Sequence, residues 1–259
     1  MRADNTAVTS SGTGVRAAAG VGTGVRTSSG VGAGAAVAGV ASPGAVYDAA
    51  LRAPGSPLLA RQHGQWRALR VDQWLSPASA ADESVLSRCH GPALDVGCGP
   101  GRLVAALAAR GIPVLGIDIA PFAVLLTRRS GASALCRDVF GPLPGAGRWR
   151  EALLVDGNIG IGGDPRRLLN RIALLLASDG TVLVELDPPG APTGSYWTRL
   201  AAAGLVSAPL RWAGVGVDGI AGLAAASGFD VAETWRAAGR HFARLVRAGD
   251  AARSGFLGS

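Results

Sequence analysis

The sequence predicts an α/β protein with a doubly wound, mostly parallel sheet. Short apolar segments typical of strands alternate with segments of helical periodicity over most of the chain. Several strand-like segments lead into a glycine-rich or acidic loop, and open α/β sheets bind their ligands at such strand ends. The last two strand-like segments flank a tight turn, which indicates a terminal hairpin instead of a further parallel unit.

Residues 1–44 carry no periodic apolar pattern. They contain a ten-residue repeat with copies beginning at Gly12 and Gly22 and a decayed third copy from Gly32. Small residues dominate this segment, so it cannot bury enough surface to fold, and we expect a flexible tail. A secretory signal is the alternative, but a basic start followed by a bulky apolar run is missing.

Residues 45–90 are expected to form an N-terminal cap. Two short strands are predicted on either side of the turn at His63 and Gly64, and a short helix is predicted over residues 79–89. The main domain is then expected over residues 91–250. Its predicted strands are 93–96, 113–118, 134–137, 151–155 and 181–186, its predicted helices are 102–110, 122–129, one from Pro165 and one over 217–227, and its final hairpin joins 229–235 to 241–246.

The first strand of this domain runs into three alternate glycines. Residues 95–101 read Asp-Val-Gly-Cys-Gly-Pro-Gly, and Asp118 closes the next strand. Alternate glycines let the backbone turn sharply and let a ligand approach closely, while the following helix presents free N–H groups. Asp118 lies where the ribose hydroxyls of a nucleotide cofactor bind. The pattern therefore predicts a nucleotide-type cofactor site.

The spacing distinguishes between two cofactors. A dinucleotide site needs Gly-x-Gly-x-x-Gly, and the third glycine here comes one residue too early. Asp95 would repel a pyrophosphate, but it suits the cationic methionine end of S-adenosylmethionine. A nicotinamide oxidoreductase is thus the weaker alternative.

With Asp95, the glycines and Asp118 in place, the segment resembles motif I and the ribose-binding acid of the class I S-adenosylmethionine-dependent methyltransferases. The resemblance extends from about residue 91 to residue 248. It implies a Rossmann-like sheet of seven strands, in which one antiparallel strand of the C-terminal hairpin lies next to the fifth strand. It also implies S-adenosylmethionine as the cofactor.

The resemblance further implies the cofactor-binding residues. The methionine part would be held by the glycine loop, the ribose by the acid at the end of the second strand, and the adenine by the end of the third strand. The loop after the fourth strand would border the sulfonium and the acceptor, although Asp156 could equally be a cap of that loop. The residues of the glycine loop are Asp95, Gly97, Cys98, Gly99 and Gly101, and those at the ribose are Asp118 and Ile119. The residues at the adenine are Asp138 and Val139, and those of the loop after the fourth strand are Asp156, Gly157 and Asn158.

Methyl transfer needs alignment of the acceptor with a carbon that the sulfonium already activates, so a catalytic base is optional. If the acceptor is a hydroxyl, His241, Glu185 or Asp187 could take its proton. His241 also fits an ordinary strand-edge position. No metal site is predicted from the spacing of the cysteines and histidines.

We expect a small-molecule acceptor. Tyr196, Trp197 and Trp212 follow the fifth strand among glycines and prolines, and they suit a substrate lid as well as a core. A nucleic-acid or protein methyltransferase is the alternative, as is a protein that only binds the cofactor. The net charge is +7, from 25 basic residues, all arginine, and 18 acidic ones. The arginines are scattered without a dense basic run, which argues against a nucleic-acid partner.

The chain is expected to be cytoplasmic. Its three cysteines are odd in number and suit a reducing compartment. Its apolar runs are short and interrupted by Arg, Asp, Gly or Pro, so no interaction with a membrane is expected.

Overall fold

A seven-stranded sheet lies at the centre of the computed structural model, which describes residues 40–249 except residues 54 and 63. The expected tail and its ten-residue repeat fall almost entirely outside these residues. The strands are β1 (Leu59–Gln62), β2 (Gln65–Ala68), β3 (Ala93–Val96), β4 (Val114–Asp118), β5 (Ala134–Cys136), β6 (Trp149–Leu154), β7 (Leu176–Leu186), β8 (Gly194–Thr198), β9 (Leu200–Ala202), β10 (Leu205–Val206), β11 (Leu210–Gly214), β12 (Phe229–Ala237) and β13 (Arg240–Arg247).

The central sheet has the order β12-β13-β7-β6-β3-β4-β5. β5, β4, β3, β6 and β7 pair in parallel, whereas β13 is antiparallel to both β7 and β12. The predicted doubly wound, mostly parallel sheet with an antiparallel strand from the C-terminal hairpin is confirmed.

Helices cover both faces of this sheet. The helices of the described residues are α1 (Pro43–Arg52), α2 (Val71–Leu75), α3 (Ala80–Leu86), α4 (Arg102–Ala109), α5 (Pro121–Arg129), α6 (Pro165–Leu175) and α7 (Ile220–Ala225), of which α1 and α2 pack in the cap. On β3, Leu94 and Val96 pack in one buried cluster with α6 and α7, while Ala93 packs in a second with α3 and α4. Side chains alternate along a strand, so a central strand with helices on both faces must be apolar on both sides. None of the described helices is long and apolar enough to cross a membrane.

Two parts of the structure were not predicted. Residues 43–52 form α1, which begins with Pro43 in its first turn and is capped by the Ser42 hydroxyl accepting from the Ala45 amide at 3.2 Å. The segment after β7 forms four short strands. β9 joins the predicted hairpin of β1 and β2 in a sheet of order β10-β9-β1-β2, and β8 pairs with β11. The cap sheet is therefore built from the N-terminal hairpin and from strands of the segment after β7.

Candidate functional site

The glycine loop lies between the end of β3 and the start of α4. The Gly97 and Cys98 amides donate to the Ile117 carbonyl at 2.8 and 3.0 Å, which anchors the loop to β4. Gly99 (φ 55°) and Gly101 (φ 90°) have left-handed backbones, and Gly101 is the N-cap of α4. The loop thus turns the chain sharply before the helix, as the sequence predicted.

Two of these glycines also leave room for neighbouring side chains. A β-carbon on Gly101 would lie 2.4 Å from the Thr127 Cγ2. The buried Thr127 hydroxyl donates to the Gly99 carbonyl at 2.9 Å. A β-carbon on Gly99 would lie 2.8 Å from the Tyr47 hydroxyl, which stands over the loop. A larger residue at Gly99 would therefore be strained in its backbone and would displace Tyr47.

Asp95 is buried on β3, directly before the loop, with 2% of its surface exposed. Its Oδ2 has no hydrogen-bond partner within the described residues. Burial raises the pKa of Asp95 to about 7, opposed by Arg102 and reinforced by the carboxylates of Asp156 and Asp118. An unpaired buried carboxylate is costly, so this residue is prepared to accept a hydrogen bond from a cation.

Asp118 ends β4 and faces the same loop. Its Oδ2 accepts from the Gly99 amide at 2.9 Å and its Oδ1 accepts from the Ala120 amide at 2.8 Å. Burial raises the pKa of Asp118, although these backbone hydrogen bonds oppose the shift. Ile119 is 60% exposed beside it. Asp118 therefore fixes the glycine loop and keeps lone pairs on both oxygens for further donors.

At the end of β5, Asp138 is exposed, and its Oδ1 accepts from the Phe140 amide at 2.9 Å. Val139 is buried in the cluster beneath α6, and its carbonyl accepts from the Arg171 Nε at 2.8 Å. This turn is therefore held rigidly, with the Asp138 carboxylate on its solvent side.

The loop after β6 is tied to the glycine loop. The Asn158 side-chain amide donates to the carbonyls of Val96 and Gly97, both at 2.9 Å. Asp156 (φ 58°) and Gly157 (φ 78°) have left-handed backbones, which is unusual for an aspartate. Asn158 begins a tight turn over Asn158–Gly163, and the expected loop thus adjoins the first glycine.

Asp156 belongs to a group of five charged residues that we call the charge cluster. Arg102 bridges Asp82 (2.9 Å) and Asp156 (2.6 Å). Arg240 bridges Asp82 (2.8 Å), Asp156 (3.1 Å) and Glu185 (2.5 Å). The Asp82 and Arg102 side chains are 0% and 6% exposed. The cluster thus joins five parts of the chain, which are helix α3, helix α4, the loop that follows β6, strand β7 and strand β13.

Glu185, one of the three residues considered as a catalytic base, belongs to the charge cluster. Glu185 accepts from Arg240 through both carboxylate oxygens and also from the Asp156 amide at 2.6 Å. Asp187 is exposed just after β7, and partial desolvation of its carboxylate raises its pKa. His241 is half-buried on β13, opposite Leu186 of β7. Of the three, Asp187 is the one that is both exposed and at a strand end.

Sequence reasoning missed Tyr47. It lies on α1, edge-on to Trp74 with ring centroids 5.8 Å apart. Burial raises the pKa of Tyr47 well above its usual value, and the carboxylate of Asp118 adds to this shift. The residue lies far from the glycine loop in sequence and carries no motif, so only the fold could bring it to the loop.

The aromatic residues after β7 lie in different surroundings. Trp212 packs on the Asn158–Gly163 turn, where a β-carbon on Gly160 would lie 2.4 Å from the indole Nε1. Tyr196 pairs with Trp212 across β8 and β11. Trp197, in contrast, is 67% exposed. Tyr196 and Trp212 therefore border the loop after β6, and Trp197 faces solvent.

Comparison with known proteins agrees with this geometry. The profile of the methyltransferase domain family matches residues 94–146, which include the glycine loop, Asp118 and Asp138. No curated protein matches the sequence.

Several solved structures share the fold. A methyltransferase from Bacteroides fragilis bound to S-adenosyl-L-homocysteine is 22% identical, with a TM-score of 0.66 over 79% of this chain and 94% of that chain. The CcbJ methyltransferase from Streptomyces caelestis is 16% identical, with a TM-score of 0.53 over 68% and 92% of the two chains. The glycopeptide N-methyltransferase MtfA bound to S-adenosylmethionine is 14% identical, with a TM-score of 0.51 over 67% and 95%.

These likenesses establish the fold, and the matched segment contains the glycine loop together with Asp95 and Asp118. Residues 94–146 thus match the methyltransferase domain family, and the chain shares its fold with solved S-adenosylmethionine-dependent methyltransferases.

Proposed function

We propose that the glycine loop and the acids around it hold S-adenosylmethionine in this chain. The observation that carries the proposal is the orphaned Oδ2 of Asp95, a buried acceptor beside a loop shaped for close approach. The ammonium group of the cofactor would supply the missing donor. Gly97, Gly99 and Gly101 would admit the methionine chain, and Cys98 is a small residue between them.

The remaining cofactor contacts follow the strand ends. Asp118 has the lone pairs to accept from ribose hydroxyls, with Ile119 beside it. Asp138 and Val139 would border the adenine, and Gly157 and Asn158 the sulfonium. Asp156 holds this last loop in place through Arg102 and Arg240, so we assign it a positioning role instead of a cofactor contact.

An Asp118→Ala variant tests the assignment. It removes the acceptor for the ribose and also releases the Gly99 amide, so we expect at least a hundredfold loss of affinity for S-adenosylhomocysteine, on the order of two or more hydrogen bonds to a charged group. Isothermal titration measures it. Asp179→Asn, at an exposed position with its carboxylate paired to Arg150, is the control and should bind as the wild type does. Equal affinity of Asp118→Ala and wild type would refute the role of Asp118.

We further propose that the acceptor is a small molecule. Tyr47 and Trp74 lie on the cap side of the glycine loop, and Tyr196 and Trp212 lie beside the Asn158–Gly163 turn. Aromatic residues near the cofactor are typical of pockets that enclose small ligands. MtfA, which shares the fold, methylates a glycopeptide. With S-adenosylmethionine bound, the sulfonium supplies the activated methyl group, and these residues would align the acceptor and exclude water.

Transfer of a labelled methyl group distinguishes the acceptor classes. The protein is incubated with labelled S-adenosylmethionine and a cell extract, which is then separated by size. We expect the label in the small-molecule fraction, and none above background with Gly99→Val, whose cofactor site is blocked. Label in protein or nucleic acid would contradict the proposal.

We place the protein in the cytoplasm. The three cysteines are free in the described structure, and two of them, Cys89 and Cys98, are buried. Burial raises the pKa of Cys89 to about 12, so the thiol is unreactive. Recovery of the native protein in a membrane or secreted fraction would contradict this location.

A further inference from the structure

The outer face of the cap sheet carries a row of exposed arginine and tryptophan residues. Arg61 on β1 pairs with Trp66 on β2, and the Arg61 amide donates to the Arg199 carbonyl at 2.9 Å, next to β9. Cross-strand partners share a face of the sheet. The alternate positions Leu58, Ala60 and Ala202 are buried. The row therefore points away from the core.

Arg61 and Arg199 line a surface cleft of about 570 Å³ together with Trp197. The other lining residues are Gly64, Thr198 and Pro209. The Arg211 guanidinium lies 5.8 Å from the centre of the Trp197 ring. Trp197 and Trp66 are 67% and 42% exposed, which is high for so large an apolar side chain. The fold thus gathers cations and flat rings that are scattered in the sequence.

The arginines of the cleft differ from those of the charge cluster. Arg102 and Arg240 each bridge two or more carboxylates, whereas no carboxylate among the described residues forms an ion pair with Arg61, Arg199 or Arg211. Like charges directly opposite on neighbouring strands are destabilising. An anion bound between Arg61 and Arg199 would offset this repulsion.

We propose that this cleft binds a nucleotide-type ligand, in which a phosphate is joined to a planar ring. Guanidinium groups bind phosphate through paired hydrogen bonds, and Arg61 and Arg199 are adjacent across the strands. The indole of Trp197 lines the cleft and that of Trp66 is on the cross-strand partner of Arg61, so both offer flat faces on which a base can stack. Phosphate alone would leave the indoles unused, and an uncharged ring would leave the arginines unpaired. The site goes beyond methyl transfer and is independent of it.

Titration with three probes tests the chemistry. Adenosine monophosphate should bind at least tenfold more tightly than inorganic phosphate or adenosine, and its affinity should fall as salt is raised. Because S-adenosylhomocysteine contains adenosine, the titrations are made with the cofactor site saturated by it. Equal affinities for all three probes, or no binding of the monophosphate, would overturn the proposal.

Variants locate the site. Arg61→Ala and Arg199→Ala should each weaken binding of adenosine monophosphate tenfold or more, and Trp197→Leu about tenfold. Arg67→Ala is the matched control, because Arg67 is exposed on β2 but pairs with Ala60 on the opposite face. All variants should bind S-adenosylhomocysteine normally, which shows that they are folded. If Arg67→Ala weakens binding as much as Arg61→Ala, the attraction is general and the site is refuted.

A single-stranded oligonucleotide identifies the source of the ligand. If the ligand is a small molecule that contains one nucleotide, the cleft holds only that nucleotide. A ten-nucleotide single strand should then bind no more tightly, per nucleotide, than adenosine monophosphate. Much tighter binding that also requires Arg61 would support the same chemistry with a strand as its source.

Discussion

An Arg240→Ala variant is expected to lose about 3–5 kcal/mol of unfolding free energy. Arg240 contacts Asp82, Asp156 and Glu185, and its removal leaves Arg102 as the partner of the first two carboxylates only. Asp82 is completely buried. Water cannot replace the lost partner there, so the buried carboxylate keeps only Arg102 as a cation, while Glu185 loses its cation altogether. For a domain of this size the melting temperature should fall by about 10 °C.

The loss should depend on pH. Burial alone would raise the pKa of Asp82, but hydrogen bonds from Arg102 and Ser79 outweigh it and hold the pKa well below its usual value. A carboxyl with a lowered pKa contributes stability above its unfolded pKa of about 4 and loses it as the pH falls. Arg240 also pairs with the ionised form of Asp82, so the difference between wild type and Arg240→Ala should shrink as the pH falls below about 4.

Thermal unfolding of both proteins between acidic and neutral pH measures this difference. Arg150→Ala is the control, because its ion pair with Asp179 is more than half exposed on both sides and such pairs contribute at most about 1 kcal/mol. A melting temperature of Arg240→Ala within about 2 °C of the wild type at neutral pH would show that the cluster is not a structural centre.

An Asp95→Asn variant should separate cofactor binding from stability. The asparagine keeps the shape of the side chain but removes the charge that we pair with the cofactor's ammonium group. We expect a loss of affinity for S-adenosylhomocysteine of a hundredfold or more at pH 8, as for a buried charged hydrogen bond. The cofactor-free variant should melt at or above the temperature of the wild type, because it lacks an unpaired buried charge.

The wild-type affinity should rise with pH. The pKa of Asp95 is about 7 in the free protein, and only its ionised form attracts the ammonium group. Below pH 7 binding must therefore expel a proton, and affinity should fall roughly tenfold per pH unit. The raised pKa also means that the free protein loses stability as the pH rises from about 4 to 7, an effect that the asparagine removes.

Titrations with S-adenosylhomocysteine from pH 5.5 to 8 measure the affinity, and cofactor-free melting curves measure the stability. Asp179→Asn should follow the wild-type profile, since its carboxylate is exposed at the other end of the sheet. A profile of Asp95→Asn that parallels the wild type would show that another group controls the pH dependence.

The sequence was sufficient to predict the central sheet. Buried strands such as β3 are short apolar runs, and the helices between them have clear periodicity, so local patterns decide both. The glycine loop was equally predictable, because Gly99 and Gly101 have conformations that few other residues adopt. The hairpin of β12 and β13 also followed from its turn and its two apolar segments.

The cap and the charge cluster could not be predicted in the same way. β8 to β11 are two to five residues long, and β9 is completed by pairing with β1, more than a hundred residues earlier. Asp156 stood out as an acid at a strand end, but its partners Arg102 and Arg240 lie on distant elements. Tyr47 reaches the glycine loop only because α1 packs beside α5. Such contacts depend on tertiary structure and leave no local pattern.

The loop beside Asp95 is the site that we propose for S-adenosylmethionine. Isothermal titration of the purified protein at pH 8 with S-adenosylmethionine, S-adenosylhomocysteine and NAD, each separately, tests it most directly. We predict saturable one-site binding of the first two compounds that Gly99→Val abolishes, and no binding of NAD. Binding of NAD alone, or binding of S-adenosylmethionine that survives Gly99→Val, would contradict the account.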